Sequence, residues 1–226
     1  MKHKFLFFAF ALLAMTPAFS QQNEWKLKKQ VDDLKVYVRK SEHSTIKEIK
    51  VVYTAEASLS NIIAVLRDVS AFPEWIYACS ETKLLERPSD TETIYYSKMD
   101  FPFPMSDRDF VAKSKLSQDT RTKEIHILVN GLPNHIPAKE NIVRLPSLHI
   151  NWHITPVSLK KAIVEYHLVS DPGGWIPDWA VNMAIDKGPV NSMKEFKEML
   201  TKEKYKSTKL AFIQETDAAA LRLLGK

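Results

Sequence analysis

Cysteine is nearly absent: Cys79 is the only one in 226 residues. A single thiol closes no internal disulfide, so the fold must be held by its apolar core. Cys79 follows Ile76, Tyr77 and Ala78, and no Cys-His arrangement surrounds it. It reads as a small buried side chain rather than a nucleophile. Glycine is scarce too, at five residues. No linker, repeat or low-complexity tract interrupts the chain, so residues 24–205 read as one domain and 206–226 as an amphipathic C-terminal extension. Charge of one sign is not concentrated. There are 32 basic and 27 acidic side chains, a net charge of +5, and the basic ones are dispersed. That excludes a nucleic-acid footprint. His-Glu-x-x-His, Gly-x-Ser-x-Gly and phosphate-loop motifs are all missing. No catalytic residue, metal ligand or cofactor is assigned.

Long hydrophobic runs are also lacking. The one apolar run, residues 5–15, is too short to span about 30 Å of hydrocarbon. It follows basic Lys2, His3 and Lys4, is broken by Thr16-Pro17, and precedes the small residues of Ala18-Phe19-Ser20. This is the pattern of a signal peptide over residues 1–20, with cleavage near Ser20. The expectation is an exported protein, periplasmic or secreted, with an uncleaved anchor as the alternative. Roughly two hundred residues would remain, enough for one domain with a sizeable core.

What is present is mostly strand. Leu34, Val36 and Val38 alternate with Lys35, Tyr37 and Arg39, and Ile49, Val51, Tyr53 and Ala55 repeat the two-residue period. Further strands are expected at 82–85, 93–99, 110–116, 124–129, 150–155 and 162–169. On one of them, Ile150, Trp152 and Ile154 share a face, and His149 and His153 share the other. Those histidines lie about 13 Å apart along a strand, too far to share a metal. With His167 they are read as surface residues. Leu59, Ile62, Ile63 and Leu66 fall at helical spacing behind a capping Ser58, and Phe72-Pro73-Glu74-Trp75 suggests a second short turn. A long helix should close the domain. Ile176, Trp179, Ala180 and Met183 make its first stripe, Gly188-Pro189 breaks it, and Val190, Met193, Phe196 and Leu200 resume it. A curled antiparallel sheet under one helix can leave room for a small ligand. Apolar residues at this spacing are equally the ordinary wall of a core.

Two longer motifs narrow the choice. One runs from Tyr95-Tyr96 through Phe101-Pro102-Phe103-Pro104 to Arg108-Asp109-Phe110-Val111. The other is Asp171-Pro172-Gly173-Gly174-Trp175-Ile176-Pro177-Asp178-Trp179. Both resemble the START family of lipid-transfer domains, and are most similar to the phosphatidylcholine transfer pattern. The resemblance implies an α+β helix-grip fold: a curved antiparallel sheet wrapped around a long C-terminal helix, with two short helices inserted early. It implies a non-catalytic protein that binds, and transfers, one lipid or sterol-like molecule. Trp75, Tyr96, Phe103, Arg108, Trp152, Tyr166, Trp179, Met183 and Met193 are the expected ligand-binding residues. Transient contact with a membrane and a monomeric state are expected. A helix-grip enzyme acting on a hydrophobic substrate and a membrane-associated scaffold, its tail lying on a bilayer, are the alternatives.

The sequence also departs from its relatives. Phe72 and Ile76 occupy the places where the phosphatidylcholine carriers put headgroup-binding charges, and Ser114 stands where sterol carriers put an arginine. A less polar or differently anchored ligand is the expectation. Arg108, if buried, needs a carboxylate, with Asp107, Asp109 and Asp171 as candidates.

Overall fold

The computed structural model describes residues 24–41 and 47–225. The expected signal peptide lies outside the described residues. Among those residues, no helix is long and apolar enough to cross a membrane.

Among the described residues, ten strands form one sheet: β1 (Lys26–Val31), β2 (Leu34–Arg39), β3 (Glu48–Ala55), β4 (Cys79–Ser89), β5 (Glu92–Met99), β6 (Asp107–Gln118), β7 (Ile125–Gly131), β8 (Ile142–Arg144), β9 (Ser147–Ser158) and β10 (Lys161–Asp171). The order is β1-β2-β3-β10-β9-β7-β6-β5-β4, antiparallel throughout. β8 is the exception. It lies parallel to the first three residues of β6, where β7 does not reach. The eight expected strands are all present. β1 and β8 are additional.

Between β3 and β4 come α1 (Leu59–Arg67) and the short α2 (Phe72–Trp75). The Ser58 hydroxyl accepts from the Asn61 amide, and the Asn61 side chain returns the bond. The closing helix is divided where Gly188-Pro189 predicts, into α3 (Asp178–Asp186) and α4 (Gly188–Thr201). Lys187 keeps helical angles at the join.

After α5 (Glu203–Lys206) the extension is not one helix, and only α6 (Ala218–Leu223) is helical. It packs on the domain. Ile213 and Ala220 are buried. The Glu215 carboxylate accepts from the Leu59 and Ser60 amides at 3.1 and 2.9 Å, capping α1.

Candidate functional site: a cavity between sheet and helices

The second half of α4 packs into the core. Phe196 and Met199 are buried with Tyr53, and Phe196 meets Trp75 with ring centroids 5.0 Å apart. The first half of α4, α3 and α2 instead bridge an open space above the sheet, with a volume of about 320 Å³. By the same measure one water needs about 10–15 Å³, so the space is roughly twenty- to thirty-fold larger.

Register builds the floor. Thr93, Ser114, Val129, Ile150, Leu168 and Ile49 are successive cross-strand partners, and all six line the cavity. Arg108 and Leu116, also lining it, lie on one strand about 26 Å apart at ~3.3 Å per residue. That exceeds the depth of one membrane leaflet, about half of a 30 Å hydrocarbon core. Aromatic rings make the wall. Trp152 meets Tyr166 at 4.6 Å and Trp75 at 6.4 Å, while Tyr95 meets Phe72 at 5.2 Å and Phe110 at 6.1 Å. The roof is Val181, Met183, Ala184 and Ile185 of α3 with Pro189 and Met193 of α4.

Of the residues expected to bind ligand, Trp75, Arg108, Trp152, Tyr166, Met183 and Met193 line this space. Tyr96, Phe103 and Trp179 do not. Strand alternation turns Tyr95 inward and Tyr96 to the opposite face. There Tyr96 packs with Ile94 and Val111 under residues Leu132 and Ile136, with the Lys139 ammonium 4.2 Å from its ring. Phe103 sits in the turn between β5 and β6 and is 93% exposed. Trp179 is 50% exposed because α3 turns Ala180 and Ile185 inward instead. Tyr95 and Phe110 were missed. The inward parity of Trp152, carried across the sheet register, identifies both. Phe72, Ile76 and Ser114, the three departures from the relatives, all line the cavity.

Arg108 overturns the expectation of a structural ion pair. It is 2% exposed, but its guanidinium meets no carboxylate within ion-pair distance among the described residues. Asp109 is taken by Arg144, through bonds of 2.7 and 3.1 Å. Asp107 is taken by Lys98 at 2.9 Å. Burial lowers the Arg108 pKa, and nearby Asp107 offsets this only in part. Among the described residues, Arg108 Nε, Arg67 Nε and Trp75 Nε1 are buried donors of the lining with no hydrogen-bond partner.

Burial pushes the Tyr95 and Tyr166 phenols above their ordinary values, and pushes the Cys79 thiol up to about 12. Among the described lining residues there is no histidine and no glutamate. His149 is exposed, His153 stacks on His126 at 4.3 Å, and His167 bonds Glu48 at 2.9 Å. No group of three metal-ligating side chains is found among the described residues.

The START domain family model matches residues 8–206. The chain belongs to the START family. This START domain is 32% identical over 171 residues to an uncharacterized protein of Pseudomonas aeruginosa, covering 76% of this chain and 84% of that one. It is 25% identical over 175 residues to the bovine phosphatidylcholine transfer protein, covering 76% and 81%. Among solved structures it superimposes on a STAR-related lipid transfer protein of Xanthomonas axonopodis with a TM-score of 0.72 and 29% identity, covering 79% of this chain and 99% of that one. Human StAR-related lipid transfer protein 5 gives a TM-score of 0.69 at 14% identity, covering 78% and 86%, a likeness of fold. The START fold and a general role in lipid binding or transfer follow.

Proposed function

We propose that this START domain holds one lipid between its sheet and α3, and carries it between membranes without altering it. The observation that carries the reading is the elongated, aromatic-walled space of about 320 Å³. Physical need agrees. Each methylene exposed to water costs about 0.8 kcal/mol, so an acyl chain of about sixteen carbons costs roughly 13 kcal/mol to move unaided.

The same reading gives the exposed aromatics a use. Arg108 donates to the Gly173 and Trp175 carbonyls and stacks on Phe101 at 4.5 Å, so it ties the β5–β6 turn to the segment entering α3. Those two segments carry Phe103, Trp175 and Trp179, which are 93%, 71% and 50% exposed. We assign them to transient contact with a bilayer surface, where amphipathic rings are favoured. The carrier would act as a monomer, exported after loss of residues 1–20.

The test is transfer of a self-quenched fluorescent lipid from donor to acceptor vesicles. Substoichiometric protein should accelerate dequenching, and Ala180→Trp, which fills the cavity from α3, should abolish the acceleration. A wild-type rate equal to the protein-free rate overturns the transfer reading.

A further inference from the structure

Among the described residues, no carboxylate lies within ion-pair distance of Arg108, a cation of the cavity wall. Its Nη1 donates to the Ser106 carbonyl at 2.5 Å, and its Nη2 to the Gly173 and Trp175 carbonyls at 3.3 Å. Those acceptors carry no charge. Its Nε is buried and has no partner. Among the described residues, the neighbouring carboxylates make their short contacts elsewhere, Asp100 and Asp107 sharing the one ammonium of Lys98. Asp107 accepts from Lys98 and the Phe101 amide, Asp109 pairs with Arg144, and Asp171 accepts from the Gly173 amide at 2.9 Å. The other arginine lining the cavity, Arg67, also has a buried Nε without a hydrogen-bond partner, but its Nη2 has the Asp90 carboxylate at 3.6 Å. Asp100, the lining carboxylate on Arg108's side of the cavity, is held by Ser80 and Lys98.

A buried charge without a counter-charge is unfavourable unless something supplies one. Space for it exists. Arg108 itself lines the cavity, together with Phe101, Pro172 and Ile176. Guanidinium is the side chain best matched to a planar or tetrahedral oxyanion.

We propose that the ligand is an acidic lipid whose terminal oxyanion, a carboxylate or a phosphate, is held by Arg108 while its chain lies along β6 toward Leu116. This rests on the carrier reading and names the ligand class for it. It also replaces the headgroup-binding charges that Phe72 and Ile76 do not provide.

The test uses two matched pairs at pH 8: cis-parinaric acid against its methyl ester, and phosphatidic acid against diacylglycerol of the same chains. Within each pair only the oxyanion differs. Wild type should bind the acid of at least one pair about tenfold to hundredfold more tightly, the range of a charge-assisted hydrogen bond. The preferred pair identifies carboxylate or phosphate. Arg108→Gln should erase the preference, and Arg67→Gln should keep it. Equal binding within both pairs by wild type overturns the oxyanion while leaving the carrier intact, and needs no variant to fold. Binding of none of the four overturns the carrier reading, and the proposal with it.

Discussion

Two arginines near the start of β6 have opposite roles, and a paired substitution separates them. Arg144→Gln leaves Asp109 charged and fully buried. Breaking a buried ion pair by removing one partner costs about 3–5 kcal/mol. Arg144 also donates to the Pro133 and Ile136 carbonyls at 2.8 and 3.1 Å, which fixes the loop covering Tyr96. At about 2–4 °C per kcal/mol for a domain of this size, the melting temperature should fall by about 6–20 °C. Arg108→Gln removes a cation whose charged form the folded state already disfavours, as its lowered pKa shows. The relief offsets the lost carbonyl bonds, so the change should be about 1 kcal/mol or less. Urea unfolding followed by circular dichroism, with m-values compared, measures both. The reasoning is refuted if Arg108→Gln is as destabilising as Arg144→Gln, because Arg108 would then be structural.

Four further outcomes follow from the same structure. Trp175→Ala with Trp179→Ala should weaken vesicle co-sedimentation about tenfold or more while leaving soluble-ligand binding intact, since burying one large apolar side chain is worth about 1.5–3 kcal/mol; unchanged sedimentation removes these residues from the membrane contact. Glu215→Gln should lower stability by about 1 kcal/mol through the weakened α1 cap, without changing vesicle binding; a loss of vesicle binding instead would return the extension to the bilayer. Cys79, its thiol pushed up to about 12 by burial, should resist maleimide at pH 7 until the protein unfolds, and rapid native labelling would contradict its burial. Glu48 is half of the last. Burial raises its pKa, but Arg39 and His167 outweigh this and the net shift is downward. A folded pKa below the unfolded 4.5 gives stability that is full above the unfolded value and lost as pH falls through the folded one. Glu48→Gln should therefore flatten the loss of stability below about pH 4.5, and an unchanged acid slope would count against the pairing.

How much of this was legible depended on which faces were solvated. β2, β3 and β9 bury one face, so their alternation is clean and the inward position of Trp152 could be read directly. β5 is covered on both sides, by the cavity on one and by residues 132–141 on the other. Tyr95 and Tyr96 then look alike in sequence, and parity alone decides between them. β1 escaped because Leu27 is 54% exposed and the strand is an edge held by pairing with β2. β8 has three residues, too few for any period. The Gly188-Pro189 break was readable, because proline seldom continues a helix through its interior. The partner of Asp109 was not. Arg144 is brought to it by β8, and no local spacing predicts that encounter. The exposure of Trp179 was hidden for a related reason. The residues that α3 turns to the cavity include Val181, Ala184 and Ile185, which lie off the stripe that holds Trp179.

The central claim is an interior that accepts one guest. Native mass spectrometry of the gently purified protein, followed by solvent extraction, tests it most directly. The account predicts a mass increment of a single lipid per chain, lost on extraction and restored by adding an acyl-chain probe. A chain that is empty as purified, and stays at its polypeptide mass when such a probe is supplied in excess, would contradict it.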